Sequence, residues 1–179
     1  FYSDKRPFFS ENHSLFDVKG MSFFYIVNTR RIGGAPDYDC SKYTSVIEGH
    51  CKKSQIGIND IDHAIRYTLQ NESFDFGFLG ASEADENFSK GRDFYSFRVR
   101  KNFKDLTLGY LGTKTDRPIL DRKADVHSLD FTYLPNDKTR IDTIYAFSDV
   151  SQNNLLSKKG EIFRFKYVNS PSQSTYYDV

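Results

Sequence analysis

The feature that most constrains the fold is a strict alternation of apolar and polar residues along most of the chain. The stretch DFYSFRVRKNF (residues 93–103) places Phe97 and Val99 on one face of a strand, and Arg98 and Arg100 on the other. Period-two alternation is typical of a β-strand with two unlike faces. Six further stretches share it: IDHAIRYTL (61–69), FDFGF (74–78), LTLGY (106–110), VHSLDFTY (126–133), RIDTIYAF (140–147) and EIFRFKYV (161–168).

Seven such strands in succession predict an all-β fold, an antiparallel up-and-down meander over residues 60–179. The connections between the strands alternate in length. Tight turns are expected at residues 70–73, 102–105 and 135–138, and long polar links at 82–92, 113–123 and 149–160. Since alternate connections of a meander lie at the same end of the sheet, all short turns would share one end and all long links the other.

That asymmetry is typical of outer-membrane barrels, which have short periplasmic turns and longer extracellular loops. Strands of about ten residues also suit a tilted membrane strand. We therefore expect part of an outer-membrane β-barrel, with a location in the bacterial outer membrane and lipid as its partner. A glycan or another envelope protein is a further candidate partner.

The alternation assigns side chains to two environments. A lipid-facing arginine at the bilayer midplane costs about 2–4 kcal/mol, so the charged face is expected to line the barrel lumen. The predicted lumen-facing residues are Arg66, Asp75, Arg98, Arg100, Asp130, Arg140, Asp142, Arg164 and Lys166. The predicted lipid-facing residues are Phe76, Phe97, Val99, Leu108, Phe131, Phe147 and Phe165.

Composition excludes several other classes. The formal net charge is +1, which gives no basic excess for nucleic acid, and no apolar run is long enough for a transmembrane helix. Aromatic residues make up 16% of the chain although hydrophobic residues reach only 38%, a mixture that favours strands. Motifs for serine hydrolases, zinc proteases, nucleotides and dinucleotides are absent from the sequence, so we predict no catalytic, metal or cofactor site.

Residues 1–59 differ from the rest and form a separate entry segment with a loop that contains both cysteines. SFFYIVN (22–28) is a candidate strand there. Cys40 and Cys51 are close in sequence, with polar residues between them, which favours a disulfide in an oxidising compartment over two unrelated thiols.

Two other functions stay open. One is a soluble, secreted β-sandwich that binds carbohydrate, which requires a second apolar-faced sheet to cover residues such as Phe97 and Phe165. The other is a membrane-associated hydrolase that uses loop carboxylates such as Glu83, Asp85 or Asp121.

Two segments, KRPFFSENHSLF (5–16) and NTRRIGGAP (28–36), resemble the entry to the barrel region of a bacterial family, DUF5916. That entry reads approximately R-P-F-F-x-E-x, then an aromatic residue, then S-R-R-I-G-x-x-P. GRDFYSFRVRK (91–101) and LGYLGTKTDRPILDR (108–122) are similar to the strand-and-loop rhythm of the family. The matching entry residues are Arg6, Pro7, Phe8, Phe9, Glu11, Arg30, Arg31, Ile32, Gly33 and Pro36.

The resemblance implies that the chain is the beginning of a larger outer-membrane barrel. Members usually carry an N-terminal domain similar to family 9 carbohydrate-binding modules, and nothing like it is present in this sequence. The segment around Cys40 and Cys51 departs from the family pattern as an insertion. Some members are labelled membrane-associated hydrolases, but the family supplies no catalytic residues to carry over.

Overall fold

A computed structural model describes residues 6–11, 13–21, 24–54, 57–86, 88–153, 157–172 and 175–178. One antiparallel sheet dominates it, and each of its strands pairs with the next along the chain. The all-β fold and the up-and-down meander are therefore confirmed. The strands are β3 (Ile61–Gln70), β4 (Phe74–Glu83), β5 (Asp93–Asn102), β6 (Leu106–Arg117), β7 (Arg122–Asn136), β8 (Thr139–Gln152), β9 (Lys158–Ser172) and β10 (Thr175–Asp178).

The sheet is open over the described residues. Its order is β10-β9-β8-β7-β6-β5-β4-β3, with β3 at one edge and β10 at the other. The described part of the chain contains no helix that is long and apolar enough to cross a membrane.

The entry segment contributes short elements. They are helix α1 (Pro7–Ser10), a hairpin of β1 (Lys19–Met21) and β2 (Phe24–Tyr25), helix α2 (Ser45–Ser54), and 3-10 turns at His13–Leu15, Thr29–Arg31 and Cys40–Lys42. The predicted strand at 22–28 is reduced to β2, and residues 22 and 23 lie outside the described residues.

The predicted disulfide is present. Cys40 and Cys51 are bonded, with their Cα atoms 5.8 Å apart, and the Cys51 side chain is fully buried. The bond ties the first residue of a 3-10 turn to α2.

Two predicted long links are wrong. The ladder between β6 and β7 continues through the polar residues to the pair Arg117–Arg122, and a 3-10 turn at Pro118–Leu120 closes the hairpin. Asp121 follows that turn in the left-handed conformation, with φ of 43°. Similarly, β8 runs to Gln152 and β9 starts at Lys158, so that link covers only 153–157. Polar side chains do not interrupt a ladder, because its hydrogen bonds come from the backbone.

The short and long connections still lie at opposite ends of the sheet, but their difference in length is smaller than predicted. One end carries 71–73, 103–105 and 137–138, and the other carries 84–92, 118–121 and 153–157. Only 84–92 is a long loop. Strands β3 to β5 have the expected ten residues, whereas β6 to β9 have 12 to 15.

The core lies between the sheet and the entry segment. Phe9, Leu15, Phe16, Val18, Val27 and Ile32 from the entry segment pack with Leu79, Ala81, Leu111 and Ile144 from the sheet. These sheet residues belong to the face that carries the charges, since Leu111 pairs directly with Arg98 and Ile144 with Asp130. The buried face of this sheet is therefore its polar face.

Candidate functional site

The pairing register divides the sheet into two faces of opposite character. Directly paired residues point to the same side, and Asp75, Arg100, Asp130 and Arg164 fall in one row across six strands. All nine predicted lumen-facing residues share this polar face, and all seven predicted lipid-facing residues share the other. The environments themselves, lumen and lipid, stay predictions.

One buried charge pair of the polar face joins two strands that are not neighbours. Arg98 on β5 donates through both terminal nitrogens to the carboxylate of Asp130 on β7, with Nη2 2.8 Å from Oδ2. The intervening strand β6 contributes Gly109, where an added Cβ would lie 2.5 Å from Asp130 Oδ2 and 2.6 Å from Arg98 Nη1. The absence of a side chain at this glycine creates the space for the pair.

Arginines of the polar face hold the entry segment in place. Arg98 Nε donates to the carbonyl of Leu15 at 3.2 Å, and Arg164 Nη1 donates to the carbonyl of Lys19 at 3.2 Å. Arg66 donates to the carbonyl of Phe8 and pairs with Glu11 at 3.0 Å. Because these acceptors are mostly backbone carbonyls, the charged face fixes the path of the entry chain.

A buried carboxylate anchors the end of the entry segment. Glu83 accepts from Arg92 Nε at 2.7 Å, from Arg92 Nη2 at 2.8 Å and from the backbone amide of Gly33 at 2.8 Å. Asn59 Nδ2 donates to the same carboxylate at 3.2 Å. Its carboxylate oxygens are therefore occupied by structural partners, and sequence reasoning missed this role.

The other two loop carboxylates suggested for hydrolysis also have structural positions. Asp85 accepts from the backbone amide of Gly91 at 2.8 Å and so shapes the 84–92 loop. Asp121 terminates the turn between β6 and β7. Among the described residues there is no group of three or more histidine, cysteine or acidic side chains that could hold a metal ion.

A second anchor lies at the end of β6. Arg117 donates to both carboxylate oxygens of Asp37, with Nε 2.8 Å from Oδ2. Burial acts to raise the pKa of Asp37, but the hydrogen bond from Arg117 and the charges of Arg117, Arg92 and Arg122 outweigh it and lower that pKa. Asp37 is therefore an ionised anchor at neutral pH.

Between the entry segment and β5 to β9 lies a cleft of about 530 Å³. Its cationic lining consists of six side chains, Lys19, Arg98, Arg100, Arg140, Arg164 and Lys166. Its acidic lining consists of three, Asp17, Asp130 and Asp142, so cations outnumber anions two to one. Seven of the nine predicted lumen-facing residues, all except Arg66 and Asp75, belong to this lining, so the cleft is where sequence prediction and geometry coincide.

The opposite face is apolar, and among the described residues no segment covers it. Leu129 is 56% exposed, Phe163 68% and Phe165 53%, whereas Arg98 on the polar face is 3% exposed. Rings on this face contact one another across strands, as Phe76 does with Phe97 at 5.2 Å. We call the following residues the aromatic belt: Ile65, Tyr67, Leu69, Phe74, Phe76, Phe78, Tyr95, Phe97, Val99, Leu106, Leu108, Tyr110, Leu129, Phe131, Tyr133, Ile141, Tyr145, Phe147, Phe163, Phe165 and Tyr167.

The aromatic belt is bounded by polar residues and is displaced along the strands by four residues between β5 and β6. On β5 it is centred on Phe97, between Asp93 and Lys101, and on β6 it is centred on Leu108, which pairs with Lys101. From β6 to β9 the belt follows the hydrogen-bonded rows, because Leu108, Phe131, Thr143 and Phe165 lie in one row. The row that contains Phe97 therefore leaves the belt and reaches β9 at Glu161.

Comparison of the chain with protein-family models, with curated proteins and with solved structures finds no match. The resemblance to the DUF5916 family therefore stays a prediction.

Proposed function

We propose that this chain forms part of the wall of an outer-membrane β-barrel that binds or transports a polar solute, with glycans as the candidate class. In this proposal the aromatic belt faces lipid, and the polar face lines the lumen. The entry segment then lies inside, against the wall. The observation that carries the proposal is the inverted sheet, in which the charged face is covered and the aromatic face is exposed within the described part of the chain.

The exposure of the aromatic belt supports lipid as its partner. Large contiguous apolar patches are rare on soluble monomers. Each fully buried Phe or Leu side chain gains about 1.5–3 kcal/mol over exposure, so a belt that spans seven strands has a strong drive to leave water. Hydrocarbon satisfies that drive along the whole belt at once.

The sandwich alternative lacks the sheet that it needs. Among the described residues the only other sheet is the β1–β2 hairpin. That hairpin lies against the polar face, where the carbonyl of Lys19 accepts from Arg164. A spanning sheet also requires partners for the free edges of β3 and β10, so the proposal includes further strands at both edges.

An arginine in the belt tests the proposal, because it is costly in lipid but tolerated on a surface exposed to water. Tyr145→Arg, in a half-exposed belt position of β8, is expected to lower the free energy of unfolding from lipid vesicles by about 2–4 kcal/mol. Ser151→Arg is the matched control on the same strand and face, beyond the belt, and should change it by less than about 1 kcal/mol. A Tyr145→Arg variant as stable as the wild type in vesicles would contradict a lipid-facing belt.

A further inference from the structure

We infer that the cleft between the entry segment and strands β5 to β9 is a binding site for a small molecule with two or more anionic groups, carboxylates or phosphates. The inference rests on the proposed function, because it names the class of solute that the polar face would take. A volume of about 530 Å³ falls within the range of small-molecule sites.

The charge balance of the lining favours anions. Six cationic and three acidic side chains line the cleft, which leaves an excess of three positive charges among the described residues. Asp75 outside the lining pairs with Arg100 and reduces that excess to two. A concave site with low-dielectric walls focuses such an excess and raises the local concentration of anions.

Three arginines keep hydrogen-bond donors for a ligand. Arg100 donates only through Nε, to Asp75 at 2.6 Å, and Arg140 donates only through Nε, to Asp142 at 2.7 Å, within the described residues. Arg164 uses only Nη1 there, for the carbonyl of Lys19. Their remaining guanidinium N–H groups suit carboxylate and phosphate oxygens, which arginine binds with paired hydrogen bonds.

The three arginines differ from Arg98, which bonds both Asp130 and Leu15. Arg98 is therefore the structural arginine of the cleft. Arg140 is the best probe of binding, since its side chain is half exposed and the hydrogen bonds of the entry segment do not depend on it.

The experiment measures calorimetric binding of trigalacturonate, inorganic triphosphate and neutral maltotriose to the folded protein in detergent. At least one of the two anions should bind, more weakly as salt is added, and maltotriose should not. Arg140→Gln should weaken anion binding about tenfold, and Arg140→Gln with Arg164→Gln about a hundredfold, because each removes charge-assisted hydrogen bonds. Lys104→Gln, which removes a positive charge in the β5–β6 turn outside the cleft, should leave binding unchanged.

Comparison of the two anions shows whether the site prefers carboxylates or phosphates. Binding of either anion supports the inferred site. Arg140→Lys keeps the positive charge but lacks the planar guanidinium with its paired donors. It should therefore recover only part of the affinity that Arg140→Gln loses. Equal binding of maltotriose, absence of binding by both anions, or unchanged affinity in the double variant would overturn the inference. Such a result would leave the Tyr145→Arg measurement untouched, so a failed ligand site is distinguishable from a failed membrane assignment.

Discussion

Arg98 and Asp130 form an ion pair that bridges β5 and β7 over the top of β6. The arginine side chain is 4% exposed and the aspartate 17%, so the two charges are shielded from water and depend on each other. The same guanidinium also holds the Leu15 carbonyl of the entry segment. One buried cation therefore couples strands β5 and β7 to the position of the chain that covers them.

Gly109 is the position that makes this coupling possible, and Gly109→Ala should break it. The added Cβ would overlap both charged groups, and disruption of a buried pair costs about 3–5 kcal/mol. We expect a loss of about 3 kcal/mol in the free energy of unfolding, measured by urea titration of the protein in vesicles. Gly112→Ala on the same strand is the control. Its nearest Cβ neighbours all belong to the Tyr110 side chain, with the hydroxyl closest at 3.1 Å, so it should cost much less. Equal losses in the two variants would contradict the account.

Gly77 makes room for the entry segment in the same way. A Cβ there would lie 2.7 Å from Phe16 Cζ and 2.8 Å from Leu15 Cδ2, so Gly77→Ala should push the segment away from the sheet. Overpacking of this kind costs about 1–3 kcal/mol, and we expect faster proteolytic cleavage within the entry segment while the sheet stays protected.

Gly80→Ala provides the comparison for Gly77, because it lies on the same strand but on the opposite face. Its nearest neighbour would be Ile65 Cγ2 at 3.3 Å. The account predicts wild-type cleavage for this variant. Faster cleavage in Gly80→Ala than in Gly77→Ala would show that the segment does not rest on the polar face.

The Asp37–Arg117 anchor should make docking of the entry segment sensitive to acid. Because the pKa of Asp37 is lowered in the folded protein, the ionised carboxylate stabilises the fold above the ordinary aspartate range. That contribution disappears as pH falls below about 4 toward the lowered pKa. Asp37→Asn should therefore be less stable than the wild type at pH 7, and the difference should shrink in urea titrations below about pH 4.

Asp60→Asn removes an exposed carboxylate near the end of the same segment and serves as the control for Asp37. It should follow the wild-type pH profile. A constant gap between Asp37→Asn and the wild type from pH 7 to pH 2 would mean that the stabilisation by Asp37 does not depend on its charge.

The strands and their faces could be read from the sequence, because a side-chain period of two is a local property of the backbone. Residues such as Phe97 and Arg98 could be assigned to opposite faces from their neighbours alone. The ends of β6 and β7 could not, since the polar residues there look like a loop although their backbones continue the ladder.

The anchors of the entry segment were also beyond sequence reasoning. Glu83 and Gly33 are 50 residues apart, and Asp37 and Arg117 are 80 apart, so only the folded chain brings them together. The glycines at 77 and 109 gave a weak signal. A glycine within an alternating strand indicates close approach of another group, but not which one.

Depth-dependent fluorescence quenching tests most directly the proposal that the aromatic belt faces lipid, since the chain has no tryptophan and each introduced one is a unique probe. Phe97→Trp, Phe165→Trp and Glu161→Trp would be compared in vesicles of brominated lipid. Phe97 and Glu161 lie in the same hydrogen-bonded row, whereas Phe97 and Phe165 are the centres of the aromatic belt on β5 and β9. The account predicts strong quenching at 97 and 165 and weak quenching at 161. Equal quenching at 97 and 161, or no quenching at 97 and 165, would contradict it.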